Sequence, residues 1–564
     1  MSAPRELVAA LVASAARYGP QARTDKLRLL EQLAGARLAG ARGLRAYHET
    51  LCFLRAYPDD AAVAAAAGGA LAGFEARVAR LPAAARARLR DTGIAGTDLD
   101  YPFGLPMARW LAQRFPRDVE VAWRGFAGGE RVEEALSLLV TPSEGEAFTE
   151  GGLGWRRWLR LARDGRASDL ATILRLFDAG PVTGEAREWL FESLELPIAW
   201  RLRGEAPSRT RLALAPGAAG YHAAPLRRSG IDLRRELAGS LPPIRHVQGR
   251  PAVAIADMAR ASMATRAREL HAFARPNLAD VLVAEAGGGV RVALIGLTPD
   301  DRLPLDAYYA YLAFKNGVPV SYGAGWGCFG RLEFALNIFE SFRQGESALL
   351  VSRILKVYRR VFGAHTIVID RSQIDAGNPE ALHSGAFYFF AKLGFRSMDP
   401  ALQALADAER ARAGREPGYR SPLATLRRLG RAGLILTLGR GGGGSPVTGS
   451  ALAALVTRTI VREHDGDRHA ATAAAVARVA GALGVRARRR WPPPERRAFE
   501  RLAPIVALLP DLARWPAADR ARLLAVMRAR GEPGERRYLR LLDGHHRLRR
   551  GLQRLSRDAE GPSS

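Results

Sequence analysis

The sequence predicts an α+β protein in which a mixed central sheet with flanking helices is embedded between mostly α-helical N- and C-terminal regions. Three observations lead there. In the first 90 residues apolar side chains recur at three- and four-residue spacing, as at Leu27, Leu29, Leu30, Leu33 and Leu38, the pattern of amphipathic helices. Between about 251 and 400 short apolar runs separated by turn residues replace that spacing and read as strands. After 400 the Arg/Ala-rich helical spacing returns.

Length and composition bound the rest. A chain of 564 residues suggests three or four domains. With 48% hydrophobic and 25% charged residues it is neither disordered throughout nor collagen-like. The sequence lacks the uncharged apolar run of about 18 residues that a bilayer-spanning helix needs. The first 21 residues hold only a short Ala/Val/Leu stretch between Arg5 and Arg17, which does not make a secretory signal. Two cysteines, Cys52 and Cys328, are too few for a disulfide framework or a thiolate zinc site. The expectation is a soluble, reduced, cytoplasmic protein with no metal.

The formal charge of +27 is unevenly placed. Only four of the 84 basic residues are lysines, so arginine usage reflects a compositional drift as much as phosphate binding. Residues 401–564 hold 32 basic against 15 acidic residues, a net of +17. A basic third of this kind can contact nucleic acid or another anionic partner by counterion release, or can simply be solvated helix faces written in arginine.

Taken in order, the expected domains are a helical one over 1–130, a helical region over 131–250, an α/β domain over 251–400 and a basic helical region over 401–564. Residues 91–130 open with turn chemistry and return to helix at Met107. Helix is expected to continue through 130–205, with Trp155, Trp158, Trp189 and Trp200 as packing anchors. The Pro-, Gly- and Arg-rich stretch 205–250 reads as a surface connection. All four asparagines and three of the four lysines fall within 251–400, and 10 of the 20 phenylalanines within 305–396. This stretch has resisted the Arg/Ala drift, which marks it as the place where particular side chains matter. Runs at 280–285 and 290–297 flank three glycines and suggest one hairpin. Runs at 308–314 and 318–322 flank Asn316-Gly317, whose tolerance of positive φ makes it the strongest short hairpin signal. A strand over 331–339, a helix over 346–361, a strand over 366–370 and a helix around 379–392 complete the domain. The Gly-rich 439–444 lacks the Lys-Ser/Thr ending of a phosphate-binding loop and reads as a flexible linker.

The order hairpin, strand, Gly-containing turn, helix, strand, helix, then Lys392-Leu393-Gly394-Phe395 resembles the GNAT acyltransferase superfamily over about 145 residues, most specifically between 331 and 396. The resemblance implies that the turn's backbone N–H groups hold the pyrophosphate of an acyl-CoA, acetyl-CoA being the expected donor, by the attraction of a helix N-terminus for an anion. The family's Arg/Gln-x-x-Gly-x-Gly/Ala turn maps onto Arg343 to Ala348, with Gly345 one position early and Glu346 in the glycine slot. A carboxylate there suits the helix dipole but repels a diphosphate. The implied cofactor residues are Asn337, Ile338, Phe339, Arg343, Gln344, Gly345, Ser347, Ala348 and Lys392. In the family's later motif Lys392 and Ala386 fit, whereas Phe390 stands at the tyrosine position and His383 at the asparagine position. In many members that tyrosine protonates the departing thiolate; Tyr388 is the candidate acid here only if the helix rotates, since two residues along a helix is about 200° around it.

An amine nucleophile needs a base. Glu333 stands where several members carry that carboxylate, and it alternates with apolar Leu332 and Phe334. His383, which titrates near neutrality, is the other candidate. Tyr322 and Trp326 are expected either to line a substrate groove or to cover a sheet edge. His464, Asp465, Asp467 and His469 share six residues of a polar loop, and Asp543, His545 and His546 form a second cluster; neither is taken as a metal site. Arg486 to Arg490 followed by Trp491 is not a nucleic-acid motif by itself. The expected function is therefore an acyl-CoA-dependent N-acyltransferase of unknown amine acceptor. The alternatives are a catalytically degenerate binding or scaffold protein and a tRNA-dependent aminoacyl transferase of the same fold.

Overall fold

The computed structural model describes residues 3–560 apart from 150, 151, 164, 166, 167, 216, 241, 242, 376 and 440–446. The expected linker at 439–444 thus lies, Gly439 apart, outside the described residues. The chain forms two compact units, one of Met1–Leu226, Ala254–Arg275 and Lys315–Pro319, the other of Arg227–Val253, Pro276–Phe314 and Val320–Ser564. No described helix is long and apolar enough to cross a membrane.

The first unit opens with helices Pro4–Ser14, Pro20–Gly35, Ala41–Ala56 and Ala61–Ala72. The second buries Leu29, Leu30 and Leu33, as the spacing requires. Its Lys26 is fully buried, with the ammonium 2.6 Å from both Asp59 Oδ2 and the Arg17 carbonyl. Helix is not continuous from Met107 to residue 205, however. Strands β1 (Asp98–Tyr101), β2 (Val119–Val121) and β3 (Ile198–Arg201) form an antiparallel sheet with β3 in the middle. Each is three or four residues long, too short for period-two alternation to stand out, and β3 exists to bury Ile198 and Trp200. Trp155 and Trp158 are buried anchors as expected, but Trp189 is 70% exposed. Its helix, Gly184–Ser193, buries Leu190 and Phe191, and a residue one step before that face points outward. The expected surface connection is also partly interior: Thr210 is buried, with Oγ1 2.9 Å from the His48 ring and accepting from Ala95 N–H.

The second unit is built on nine strands: β4 (Arg245–Val247), β5 (Pro276–Gly287), β6 (Val290–Leu297), β7 (Ala307–Lys315), β8 (Val318–Gly327), β9 (Arg331–Ile338), β10 (Thr366–Ile369), β11 (Arg396–Ser397) and β12 (Leu434–Thr437). They lie in the order β11-β12-β10-β9-β8-β7-β6-β5-β4. Both hairpins appear where expected, the second closed by Asn316 and Gly317 at φ 49° and 79°. Strand β9 runs antiparallel to β8 and parallel to β10, so the mixed character of the sheet arises at β9. The connection between them is the helix Ser347–Phe362, which buries an unbroken apolar face of Leu350, Ile354, Val357, Tyr358 and others. The sheet does not end near 400. Residues 434–437 enter it as β12, antiparallel to both β10 and β11.

Cross-strand partners share a face. Register places Trp326, Glu333 and Val368 in one row, with Arg331, Thr366 and Thr437 in the next. Leu332 and Phe334 point to the other face, where the helix lies. Tyr358 packs edge-on against Phe334 and Tyr311, and its hydroxyl donates to the Tyr309 carbonyl at 2.6 Å. Gly325 permits this, because a methyl group there would overlap the Tyr358 ring.

The helices after 490 belong to the same core. Arg302, Arg530 and Glu535 form a fully buried ion cluster beside Asp280. Arg302 donates to the carbonyls of Arg530, Glu532 and Pro533 at 2.6–2.8 Å. Asp280 accepts from Tyr309 Oη and from the Glu535 N–H, each at 3.0 Å. Buried charges persist only when paired and hydrogen-bonded, and these are.

Candidate functional site

Strands β9 and β10 pair only at Arg331, Leu332 and Glu333, opposite Thr366, Ile367 and Val368. Beyond that point residues 334–338 of β9 have no partner on β10. The N–H of Leu336 within this gap donates instead to Oε1 of Gln373, at 3.0 Å, from the 3-10 turn that follows β10. The gap therefore presents a backbone donor held by a side chain rather than by a strand.

Glu333 sits where the two strands part. Half-buried, it takes a 3.4 Å contact from Arg331. Burial raises its carboxyl above the usual glutamate range, with Arg331 opposing and Asp370 adding to the rise. Its row-mate Trp326 stacks on Tyr308, centroids 6.2 Å apart. Tyr322 stacks on Phe339 at 5.3 Å, and Asn337 lies opposite Tyr322 in the register, its carbonyl accepting from Ser321 Oγ. These aromatics cover the sheet and are engaged with one another.

β9 ends at Ile338, and the turn to the helix Ser347–Phe362 holds Phe339, a 3-10 turn Glu340–Phe342, and then Arg343 to Glu346. Arg343 is exposed, ion-paired with Glu380 and donating through Nε to the Ile338 carbonyl. Gln344 is exposed, and Gly345 N–H returns to the Phe342 carbonyl at 2.9 Å. Glu346 is the N-cap but its side chain makes no capping bond; buried, it accepts from the Arg227 N–H at 3.1 Å. Ser347 Oγ donates back to the Arg343 carbonyl, and Ala348 opens the helix beside it.

The residues expected from the later motif have local partners of their own. The helix around 379–392 is two helices, Pro379–Ser384 and Ala386–Lys392, because Gly385 adopts φ 71° and ends the first. His383 closes the first helix with Nδ1 2.6 Å from the Pro379 carbonyl, so it is tied within its own turn. Phe387 and Phe390 form the buried face of the second, while Tyr388 turns away and shares a 2.6 Å hydrogen bond with Ser421. Burial raises its phenol. Lys392 is exposed at the helix end.

The remaining clusters have structural occupations. Asp467 caps the helix Arg468–Leu483 through the N–H groups of His469 and Ala470. Among the described residues no three His, Cys, Asp or Glu converge as a metal site would need. Trp491 packs on Phe499 and under Arg528. A Cys–His pair that sequence reading passed over, Cys52 and His48 one helical turn apart, is fully buried. Burial drives the thiol up to about 11 and the imidazole down to about 3, so near neutrality the pair stands as thiol and neutral imidazole and not as a reactive thiolate–imidazolium pair.

Gln373 was not legible as a site residue, since nothing in Arg-Ser-Gln-Ile distinguishes it from any polar turn. No protein-family model, curated protein or solved structure matches this chain.

Proposed function

We propose that the β9–β10 region is the site of an N-acyltransferase of the GNAT kind, moving an acyl group from a thioester such as acetyl-CoA to an amine. The parting of β9 from β10 beside Glu333, with the Leu336 N–H met only by a side-chain carbonyl, carries this reading. A thioester carbonyl oxygen is an acceptor of the same kind as Gln373 Oε1. During attack that oxygen gains negative charge, and a fixed backbone donor stabilises it more than it stabilises the ground state. The amine nitrogen bonds to the carbonyl carbon, and the carbon–sulfur bond breaks. The nitrogen's surplus proton passes to Glu333, directly or through water, and the departing thiolate takes a proton from solvent. A carboxylate lifted by burial toward neutrality is a better base for this than an exposed one. Arg343, Gln344, Gly345, Ser347 and Ala348 would meet the diphosphate at the helix N-terminus, with Arg343 exchanging Glu380 for it.

One observation favours a second reading, a binding module without chemistry. Glu346 places a buried carboxylate at the first turn of the helix that would hold the diphosphate. Titration calorimetry of the full chain with acetyl-CoA separates the two. The acyltransferase reading requires a Kd on the order of micromolar that weakens roughly tenfold in Arg343→Ala. No heat at about 1 mM acetyl-CoA would sink it.

A further inference from the structure

On the Glu333 face of the sheet lies a cavity of about 180 Å³. Its floor is the row Arg331, Thr366 and Thr437, and the helix His546–Glu560 sends Arg549 into it from one side. Asp306 and His365 complete the polar lining.

Two charged side chains in its lining make no ion pair among the described residues. Among the described residues the Arg549 guanidinium makes no side-chain hydrogen bond or ion pair, and Asp543 is the acidic group within its electrostatic reach. The Asp306 carboxylate faces the thiol of Cys328, acts electrostatically on Glu333 and Tyr538, and likewise makes no ion pair among the described residues. The two do not bridge each other. Arg331, by contrast, is already drawn to Glu333. His365 is held by Thr366 Oγ1 at 3.1 Å and by the Phe329 carbonyl, and burial, reinforced by Arg549, keeps it neutral. A methyl group on Gly330 would overlap the His365 ring, so this wall is close-packed as it stands.

A cavity of about 150 Å³ holds benzene, so this one accommodates a molecule of about six to nine heavy atoms. A cation and an anion that face one partly enclosed cavity without bridging each other offer a ligand the complementary pair of charges. We infer that the cavity binds a small zwitterionic amino acid, its carboxylate on Arg549 and its ammonium on Asp306. Glu333 stands two residues from Arg331 on the same face and feels the charge of Asp306. Assigning the bound amino acid the part of acyl acceptor rests on the acyltransferase reading; the binding itself does not.

Saturation-transfer NMR on the full chain tests this with glycine, L-alanine, L-serine, β-alanine and γ-aminobutyrate, against ethylamine and acetate as singly charged controls. At least one amino acid is expected to bind, with both controls weaker by about tenfold or more. Arg549→Ala and Asp306→Asn should each weaken the bound amino acid by about tenfold, and Arg549→Lys by about threefold, with unchanged melting temperatures showing that the fold is intact. Three results would overturn the inference: controls that bind as well as the amino acids, no amino acid bound at about 10 mM, or full binding by Arg549→Ala. Acetyl-CoA titrated in parallel keeps the two failures apart. Amino-acid binding without acetyl-CoA binding defeats the acyl-transfer reading and leaves the cavity assignment standing, and the reverse result does the opposite.

Discussion

Oε1 of Gln373 accepts the hydrogen bond of the Leu336 N–H at 3.0 Å, at the level where β9 has lost β10 as a partner. A ligand carbonyl that uses this donor must displace the Gln373 side chain. Gln373→Ala is therefore expected to destabilise the free protein by about 1 kcal/mol, the cost of a donor left poorly paired. The same variant should bind acetyl-CoA severalfold more tightly, because the internal competitor is gone. Thermal melting and calorimetry read the two effects, and loss of stability with weakened binding would count against the displacement.

Glu333→Gln removes the base without changing its shape. If Glu333 takes the proton, transfer should slow by about 10²–10⁴-fold while KM for acetyl-CoA stays nearly constant. The acid limb of the wild-type pH profile should lie above the ordinary glutamate range, since burial raises this carboxyl. Activity would be lost as pH falls through that raised value and the carboxylate is protonated. A profile of Glu333→Gln with an unchanged acid limb would assign the limb to another group.

Asp280 provides a stability test with a definite sign. Burial lifts its pKa from 3.8 to about 6, so the folded chain holds the proton over a window in which the unfolded chain has released it. Stability contributed by this group is full below about pH 4 and falls as pH rises to about 6, by on the order of 2–3 kcal/mol. Asp280→Asn carries no such titration. Its melting temperature relative to wild type should climb between pH 4 and 6, and a constant difference would show that Asp280 titrates normally.

At Gly325 the expected effect is steric. Gly325→Ala pushes a methyl group into the Tyr358 ring and should cost about 1–3 kcal/mol, measured by chemical denaturation. Trimming the neighbour in Gly325→Ala/Tyr358→Leu should cost less than the two single changes added together.

Residues 276–400 should not fold alone. Removing everything after 400 takes β12 from between β10 and β11, and leaves Arg302 without Glu535. An unpaired buried charge costs about 3–5 kcal/mol, a large share of a total stability of about 5–15 kcal/mol. Circular dichroism of that fragment should show no cooperative melt.

What the sequence made legible was whatever local chemistry dictates. Asn316-Gly317 announced its hairpin because few residue pairs accept two positive φ values, and the Ser347–Phe362 helix announced itself by an unbroken apolar face. The break at Gly385 was hidden, since an isolated glycine inside a helical pattern is usually tolerated. β1, β2 and β3 were too short to show a period. At the proposed site, Glu333 was singled out by its position on β9, but its neighbours were not. Asp306, Gln373 and Arg549 lie 27, 40 and 216 residues from Glu333 in sequence, and only the folded sheet brings them to its neighbourhood.

The place of β12 also bears on how the chain is made. Its four residues are the last of the nine strands to leave the ribosome, yet they occupy an interior position in the sheet. Until they arrive, β10 exposes one row of backbone donors and acceptors, and β11, paired through residues 396–397 to β12, has no strand to pair with. A nascent chain stalled before residue 434 would carry a sticky apolar edge, Ile367 and Ile369, open to any passing strand. Slow translation across 400–433 would therefore favour aggregation, and a short peptide copying Leu434–Thr437 with its neighbours would compete for the vacancy before the native strand fills it.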